Sequence, residues 1–209
     1  TMSFFGKKKQ NCLAKDLVSV KMAEARSSFT DVALTVVLLC ICLFVVWTKF
    51  VWLEPIQVVG SSMESTLHDG DMLVLDRLAS PDYGDVVVFT KDIAYIKRVI
   101  ALGGDSVMID GGKVYVKKHG ETDYVLQHEE YAKGKTYVYY GNKQIYTDPV
   151  IFEVEEGEFF AMGDNRENSI DCRDKRLGGA IPLNYIDGVV RQFFIDNKDS
   201  SLAVLYKFL

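Results

Sequence analysis

An apolar run near the beginning of the chain constrains the fold more than any other sequence feature. Residues 32–47 are almost uninterrupted, and residues 50–53 extend the run to about 22 residues. A helix of that length crosses the ~30 Å hydrocarbon core of a bilayer. Trp47 and Trp52 suit the membrane–water interface, where aromatic rings are enriched. We therefore predict one N-terminal transmembrane helix over 32–53, retained because no small-residue cleavage site follows it.

The charges on the two sides of the apolar run predict its orientation. Residues 1–31 hold six basic and three acidic side chains, and a basic flank favours the cytoplasm. Residues 54–209 hold 17 basic and 26 acidic side chains, a formal charge of −9. They show no basic stripe, which argues against a nucleic-acid partner. We expect a cytoplasmic segment 1–31 and an extracytoplasmic domain 54–209 on a single-pass protein of the plasma membrane.

The part of the chain after the apolar run has the pattern of an antiparallel β domain. Stretches rich in Val, Ile and Tyr alternate with turns of Gly, Pro and Asp, without βαβ repetition. Residues 109–152 hold seven tyrosines and little periodicity, and they predict a small β-rich insertion. The predicted strands are Ile56–Val59, Met72–Asp76, Asp85–Thr90, Ala94–Leu102, Ser106–Ile109, Lys113–Lys117, Ile151–Val154, Glu158–Met162 and Val189–Ile195. The predicted fold class is therefore mostly β.

Two adjacent serines, Ser61 and Ser62, are candidate nucleophiles just after the apolar run. Their surroundings lack the second glycine of a nucleophile elbow, and the chain contains no Ser-x-x-Lys. A serine needs a base to take its proton, and histidine is scarce here, which leaves a Ser–Lys pair. Lys97 lies in an apolar stretch where burial can lower its pKa by up to ~3–5 units. His68 is the competing base.

Four motifs in order resemble those of the type I signal peptidases, the S26 peptidase family. Residues 60–67 read Gly-x-Ser-Met-x-x-Thr-Leu, and residues 84–89 read Gly-Asp-Val-Val-Val-Phe. Residues 95–99 read Tyr-Ile-Lys-Arg-Val, and residues 163–173 read Gly-Asp-Asn-Arg-Glu-Asn-Ser-Ile-Asp-Cys-Arg. The resemblance implies an antiparallel β catalytic core with a variable cap at 109–152.

The resemblance also implies roles for individual residues. Ser62 would be the nucleophile and Lys97 the general base, with lysine rather than histidine as in the bacterial form. Ser169 would hydrogen-bond and orient the lysine, while Asp171 and Arg173 would brace the site. An endopeptidase that removes signal peptides from preproteins emerging from the secretion machinery is the implied activity.

Three positions differ among members of the family or depart from its usual pattern. The oxyanion would be held by the Ser62 N–H. Gly60 stands where some members carry a hydroxyl, so the chain is similar to the single-span Gram-positive form. Ser65 replaces a usual proline, and Cys172 replaces a common serine. We interpret Cys172 as a buried small residue, with a reactive thiol as the alternative.

The resemblance implies shallow apolar pockets for a small residue such as alanine before the cut. The residues that would line them are Val58, Val59, Met63, Leu67, Tyr95 and Ile96. No metal or cofactor motif is present, and membrane lipid is the other expected partner. Two alternatives stay open: a peptidase of this family dedicated to one substrate class, and a catalytically silent, membrane-tethered binding domain.

Overall fold

A computed structural model describes residues 21–22, 29–47, 52–140, 144–145 and 149–196. The chain divides into two compact units, residues 1–50 and 51–209. The first contains helix α1 (Phe29–Trp47), which is long and apolar enough to cross a membrane. Most of the predicted cytoplasmic segment 1–31 lies outside the described residues.

The predicted span 32–53 and the described helix share residues 32–47. Helix α1 is described from Phe29 to Trp47, about 28 Å at 1.5 Å per residue. Leu53 does not belong to a helix but begins the first strand. The apolar run therefore contains both the helix and the beginning of β1. The predicted span included Leu53 because hydropathy alone does not distinguish the end of an apolar helix from a half-buried strand.

The second unit is an antiparallel β structure, which confirms the predicted fold class. Its strands are β1 (Leu53–Gln57), β2 (Met72–Asp76), β3 (Val86–Thr90), β4 (Ala94–Leu102), β5 (Ser106–Asp110), β6 (Lys113–Lys117), β7 (Val125–Leu126), β8 (Tyr139–Tyr140), β9 (Gln144–Ile145), β10 (Val150–Glu153), β11 (Glu158–Met162), β12 (Ile181–Pro182) and β13 (Ile186–Val190). Seven of them form the main sheet in the order β1-β2-β13-β3-β4-β11-β12.

Strand β3 separates two hydrophobic clusters because alternate side chains of a strand point to opposite faces. Val87 and Phe89 belong to the larger cluster, and Val86 and Val88 to the smaller one. All four are buried, which accounts for a continuous apolar stretch in place of alternation. Strand β4, which carries Lys97, pairs with β3 on one side and with β11 on the other.

The insertion is larger than the predicted range 109–152. Strands β10, β5, β6 and β7 form a separate four-stranded sheet in that order, and β8 pairs with β9. Strand β5 already begins at Ser106, and it pairs with β10, which ends at Glu153. The sequence motifs did not reveal this boundary, because β5 and β10 have the same composition as the strands of the main sheet.

Two further predicted strands are shifted or shortened. The strand predicted over Ile56–Val59 is β1, which ends at Gln57 and pairs with β2. The strand predicted over Val189–Ile195 ends at Val190, and a short helix α2 (Gln192–Asp196) follows it. The helix buries Ile195 in the smaller cluster, so an apolar residue was mistaken for the continuation of a strand.

The packing of Phe159 predicts the effect of emptying the larger cluster. Its ring is fully buried and lies 5.4 Å from the ring of Phe89, centroid to centroid. We expect Phe159→Ala to lower the free energy of unfolding by ~3–5 kcal/mol, because it leaves a cavity. Phe193→Ala is the control, since that ring is 57% exposed, and it should cost less than about 1 kcal/mol. Equal losses in urea unfolding of the two variants in detergent would contradict the assignment of the core.

Candidate active site

Ser62 and Lys97 lie in contact, although 35 positions separate them in the chain. The Lys97 Nζ is 2.7 Å from the Ser62 Oγ, and it also donates to the Ile96 carbonyl oxygen at 2.7 Å. A neutral amine carries one lone pair. With an N–H occupied by the Ile96 carbonyl, that lone pair can accept the proton of the serine hydroxyl.

The environment of Lys97 favours the neutral amine. Its side chain is only 3% exposed, and it sits opposite Val87 in the register of β3 and β4. Burial lowers the pKa of Lys97 to about 8, and the negative charge of Asp171 opposes the shift only in part. An ammonium group loses its hydration here without gaining a carboxylate in direct contact. The site therefore holds a lysine that can act as a base near neutral pH.

The structure distinguishes the two adjacent serines. The Ser61 Oγ accepts a hydrogen bond from the Asn168 amide at 3.0 Å, whereas the Ser62 Oγ is hydrogen-bonded to the Lys97 Nζ. The Asn165 N–H donates to the Ser62 carbonyl at 3.0 Å, and its side-chain amide donates to the Ser61 carbonyl at 3.0 Å. Asn165 thus fixes the backbone of both serines. The sequence analysis assigned Asn165 no such role.

Gly163 allows the last motif to approach Ser62. A Cβ added there would overlap the Ser62 carbonyl oxygen and the Ser169 side chain. The Gly163 N–H donates to Asp171 at 3.0 Å, and Arg173 holds the same carboxylate with two side-chain bonds of 2.7 and 2.9 Å. Burial alone would raise the pKa of Asp171, but the charge and hydrogen bonds of Arg173 keep it below its usual value. The structure therefore places Asp171 and Arg173 as a buried ion pair beside the site.

Ser169 does not make the contact expected of it. Its Oγ is buried beside Gly163 and makes no hydrogen bond of standard geometry with the described residues, although the hydroxyl contributes to the lowered pKa of the nearby Asp171 carboxylate. Lys97 is held by Ser62 and the Ile96 carbonyl in its place. The motif brings Ser169 into the cleft, but the orientation of its hydroxyl depends on side-chain geometry that a sequence pattern does not specify.

A second buried ion pair supports the site from the other face of β4. Arg98 donates to both carboxylate oxygens of Asp164, at 2.9 and 2.6 Å, and Thr66 donates to the same carboxylate at 2.6 Å. The pair joins β4, the turn after Ser62 and the last motif. Sequence reasoning did not assign this pair a role. The alternation of side chains in a strand explains why Arg98 and its neighbour Lys97 serve different partners.

Both Ser62 and Lys97 line an open cleft of about 1090 Å³. Of the six predicted substrate-binding residues, Val58, Val59, Met63, Tyr95 and Ile96 line it. Leu67 does not. Like Met63 it is fully buried in the smaller hydrophobic cluster, but of the two only Met63 borders the cleft. An apolar residue in the right motif can thus contribute to the core in place of the cleft.

The surroundings of Gly60 and the Ser62 N–H fit an oxyanion site made of backbone. Gly60 has a φ of +91°, and an added Cβ would meet no atom within 4 Å. Its N–H donates to Asp69 at 2.7 Å. The Ser62 N–H donates to no acceptor among the described residues and so stays available to a ligand. The competing base His68 is 65% exposed, lies 3.9 Å from Asp71 and does not line the cleft.

The two departures from the family pattern have different consequences. Cys172 is buried, accepts a hydrogen bond from the Ala161 N–H at 3.2 Å, and has a thiol pKa that burial raises to about 12. The thiol therefore stays protonated, which favours the interpretation of Cys172 as a buried small residue over that of a reactive thiol. Ser65 has a φ of +95°, an uncommon conformation for a non-glycine residue, and its hydroxyl donates to the Tyr131 carbonyl.

The lowered pKa of Lys97 sets the expected pH dependence. Because only the neutral amine can accept a proton, we expect kcat/KM for peptide hydrolysis to rise with pH through a midpoint of about 8 and then level off. Lys97→Arg is the control, since a guanidinium stays protonated and should be inactive at every pH. A wild-type rate that is flat from about pH 6 to 10 would contradict the role of Lys97 as base.

The backbone at Ser65 predicts that restoring the usual proline is harmful in this chain. Proline holds φ near −65°, far from the observed +95°. We expect Ser65→Pro to lower the free energy of unfolding by more than about 1 kcal/mol. Ser65→Gly, which adopts positive φ without strain, should stay within about 1 kcal/mol of wild type. A proline variant as stable as wild type in urea unfolding would show that this conformation is not required.

Comparison with known proteins supplies the family. The model of the family described as signal peptidase, peptidase S26, matches residues 30–195. Signal peptidase I U of Bacillus subtilis (strain 168) is 27% identical over 164 residues, which are 75% of this chain and 83% of that protein. Signal peptidase I of Bacillus amyloliquefaciens is 34% identical over 155 residues, 70% of this chain and 76% of that protein.

A solved signal peptidase I from Enterococcus faecalis V583 aligns with 54% of this chain and 98% of its own, at 22% identity. Its TM-score of 0.40 is too low to add to the description of the fold. The family match, by contrast, includes all four motifs and the residues that meet in the cleft. Because it covers residues 30–195, well over half of the chain, this protein belongs to the S26 family of signal peptidases.

Proposed function

We propose that this protein is a membrane-anchored endopeptidase that removes signal peptides from exported preproteins by a Ser–Lys dyad. The observation that carries the proposal is the 2.7 Å contact between the Ser62 Oγ and a buried Lys97 amine of lowered pKa. Membership of the signal peptidase family supports the class of substrate.

The geometry supports a two-step reaction through an acyl-enzyme. Lys97 takes the hydroxyl proton as the Ser62 Oγ attacks the scissile carbonyl, and it then passes the proton to the leaving amine. The Ser62 N–H stabilises the oxyanion. In the second step, Lys97 deprotonates a water molecule that hydrolyses the ester and releases Ser62.

The walls of the cleft support a preference for small residues before the cut. Val58, Met63 and Tyr95 line the cleft while being largely buried themselves, so the pocket they form is shallow and apolar. Such a pocket discriminates by ~1–3 kcal/mol per added methylene group, which favours alanine. An extended peptide could bind as a further strand beside β1 or β4.

Helix α1 supports anchoring in the plasma membrane, with lipid as its partner. The basic excess of residues 1–31 supports a cytoplasmic N-terminus and an extracytoplasmic catalytic domain. This arrangement would present the cleft to preproteins as they emerge from the secretion machinery.

Cleavage of a preprotein with an Ala-x-Ala site, in detergent, tests the proposal. We expect the full-length protein to cut after the second alanine, as read by mass spectrometry. Ser62→Ala and Lys97→Ala should each lower kcat by roughly a thousandfold or more while staying folded.

Ser61→Ala is the matched control, because that hydroxyl contacts Asn168 and not Lys97, and it should keep most of the activity. Activity that survives Ser62→Ala would rule out the dyad. A wild-type protein that binds such substrates without cutting them would favour the silent binding domain.

A further inference from the structure

A segment of the insertion contacts both parts of the chain that hold the nucleophile. The segment comprises residues 129–136, here called the strap. Among the described residues that line the cleft, none belongs to the strap. It does contact Arg166 and Glu167, which line the cleft, although it lies about 30 to 37 positions before them in the sequence.

The first contact is an ion pair between Glu129 and Arg166. The Arg166 side chain is fully buried, and it donates twice to the Glu129 carboxylate, with both distances at 2.7 Å. The same guanidinium donates to Thr136 at 2.8 Å and to the Gly163 carbonyl at 3.0 Å. A buried guanidinium is costly unless its donors are satisfied, so the strap determines whether Arg166 can remain there.

The second contact is a pair of backbone hydrogen bonds on either side of Asn165. The Lys133 N–H donates to the Asp164 carbonyl at 2.7 Å, and the Arg166 N–H donates to the Lys133 carbonyl at 3.0 Å. Between these two bonds, the Asn165 N–H reaches the Ser62 carbonyl. The strap therefore binds the backbone of both neighbours of Asn165, the residue whose N–H fixes the Ser62 backbone.

The third set of contacts reaches the turn after the nucleophile. The Tyr131 carbonyl accepts the hydroxyl of Ser65, and its ring lies 4.1 Å from the guanidinium carbon of Arg98. The Lys133 amine lies 3.2 Å from the Glu64 carboxylate. The strap thus joins the turn after Ser62 to the motif that carries Asn165.

We propose that the strap is a positioning element for catalysis, which holds the Ser62 backbone in register with Lys97 through Glu129 and the Lys133 backbone. The inference rests on the proposed peptidase function and adds to it a role for the insertion. A displacement of about 1 Å at a reacting atom can reduce a rate by roughly a hundredfold. The strap residues that bind these two parts of the chain are positioning residues, because they neither line the cleft nor contact the reacting atoms. Glu130 is not one of them, since its side chain is 87% exposed.

The test compares two neighbouring glutamates in the full-length protein in detergent. Glu129→Gln removes the charge that pairs with Arg166, and Glu130→Gln is the matched control because the Glu130 side chain is 87% exposed. For Glu129→Gln we expect kcat to fall roughly tenfold or more, with KM within about twofold of wild type. The pH midpoint should not move, because Lys97 keeps its buried surroundings. The control should match wild type.

A second variant covers the case in which Glu129→Gln fails to fold. Ser65→Ala removes the hydroxyl that binds the strap, at an exposed position outside both hydrophobic clusters. It should retain the wild-type Tm and lose kcat several-fold. A folded Glu129→Gln variant with wild-type kcat overturns the proposal, even if its Tm is lower. That result would show that Glu129 stabilises the fold without positioning Ser62. If that variant does not fold, wild-type kcat in Ser65→Ala overturns it.

Failure of the strap proposal and failure of the peptidase proposal give different results. If the wild-type protein cuts the Ala-x-Ala substrate and Ser62→Ala does not, the peptidase function stands whatever the strap variants do. If wild type does not cut, or Ser62→Ala still cuts, the proposed function itself fails and the strap proposal falls with it.

Discussion

The neutral form of the Lys97 amine depends on two conditions. Apolar groups must exclude water from the amine, and each carboxylate near it must be paired with a different cation. Its strand lies between two neighbours in the main sheet, and its register partner is Val87. The desolvation that follows lowers the pKa of Lys97 to about 8. A salt bridge from Lys97 to a carboxylate would undo this shift, because an opposite charge in contact stabilises the ammonium form.

The arrangement of ion pairs satisfies the second condition. Asp171 is the carboxylate with the largest effect on Lys97, and it is bound by Arg173 and the Gly163 N–H. Asp164 is bound in the same way by Arg98. The buried carboxylates are thus neutralised by arginines, which stay charged at any physiological pH, and the lysine keeps its lone pair for Ser62.

Much of this protein was predictable from local signals. The four motifs indicated Ser62 and Lys97, and the β-branched stretches predicted most strands of the main sheet within one or two residues. The wrong predictions concern sequence patterns that are compatible with two different structures. Leu67 is core rather than cleft, residues 192–195 are helical rather than extended, and β5 belongs to the second sheet. Hydrophobicity marks a residue as buried, but it does not say which surface buries it.

The sequence by itself determined the apolar helix, the β class and the choice of Ser62 and Lys97 as candidate reacting residues, because these depend on composition, periodicity and short motifs. Only the tertiary structure decided how the site is held together. The Ser62 carbonyl meets Asn165, Gly163 admits the last motif, and Glu129 reaches Arg166 from the insertion. These contacts join residues that lie about 35 to 105 positions apart. Contacts over such separations follow from strand order and register, and no local stretch of sequence encodes them.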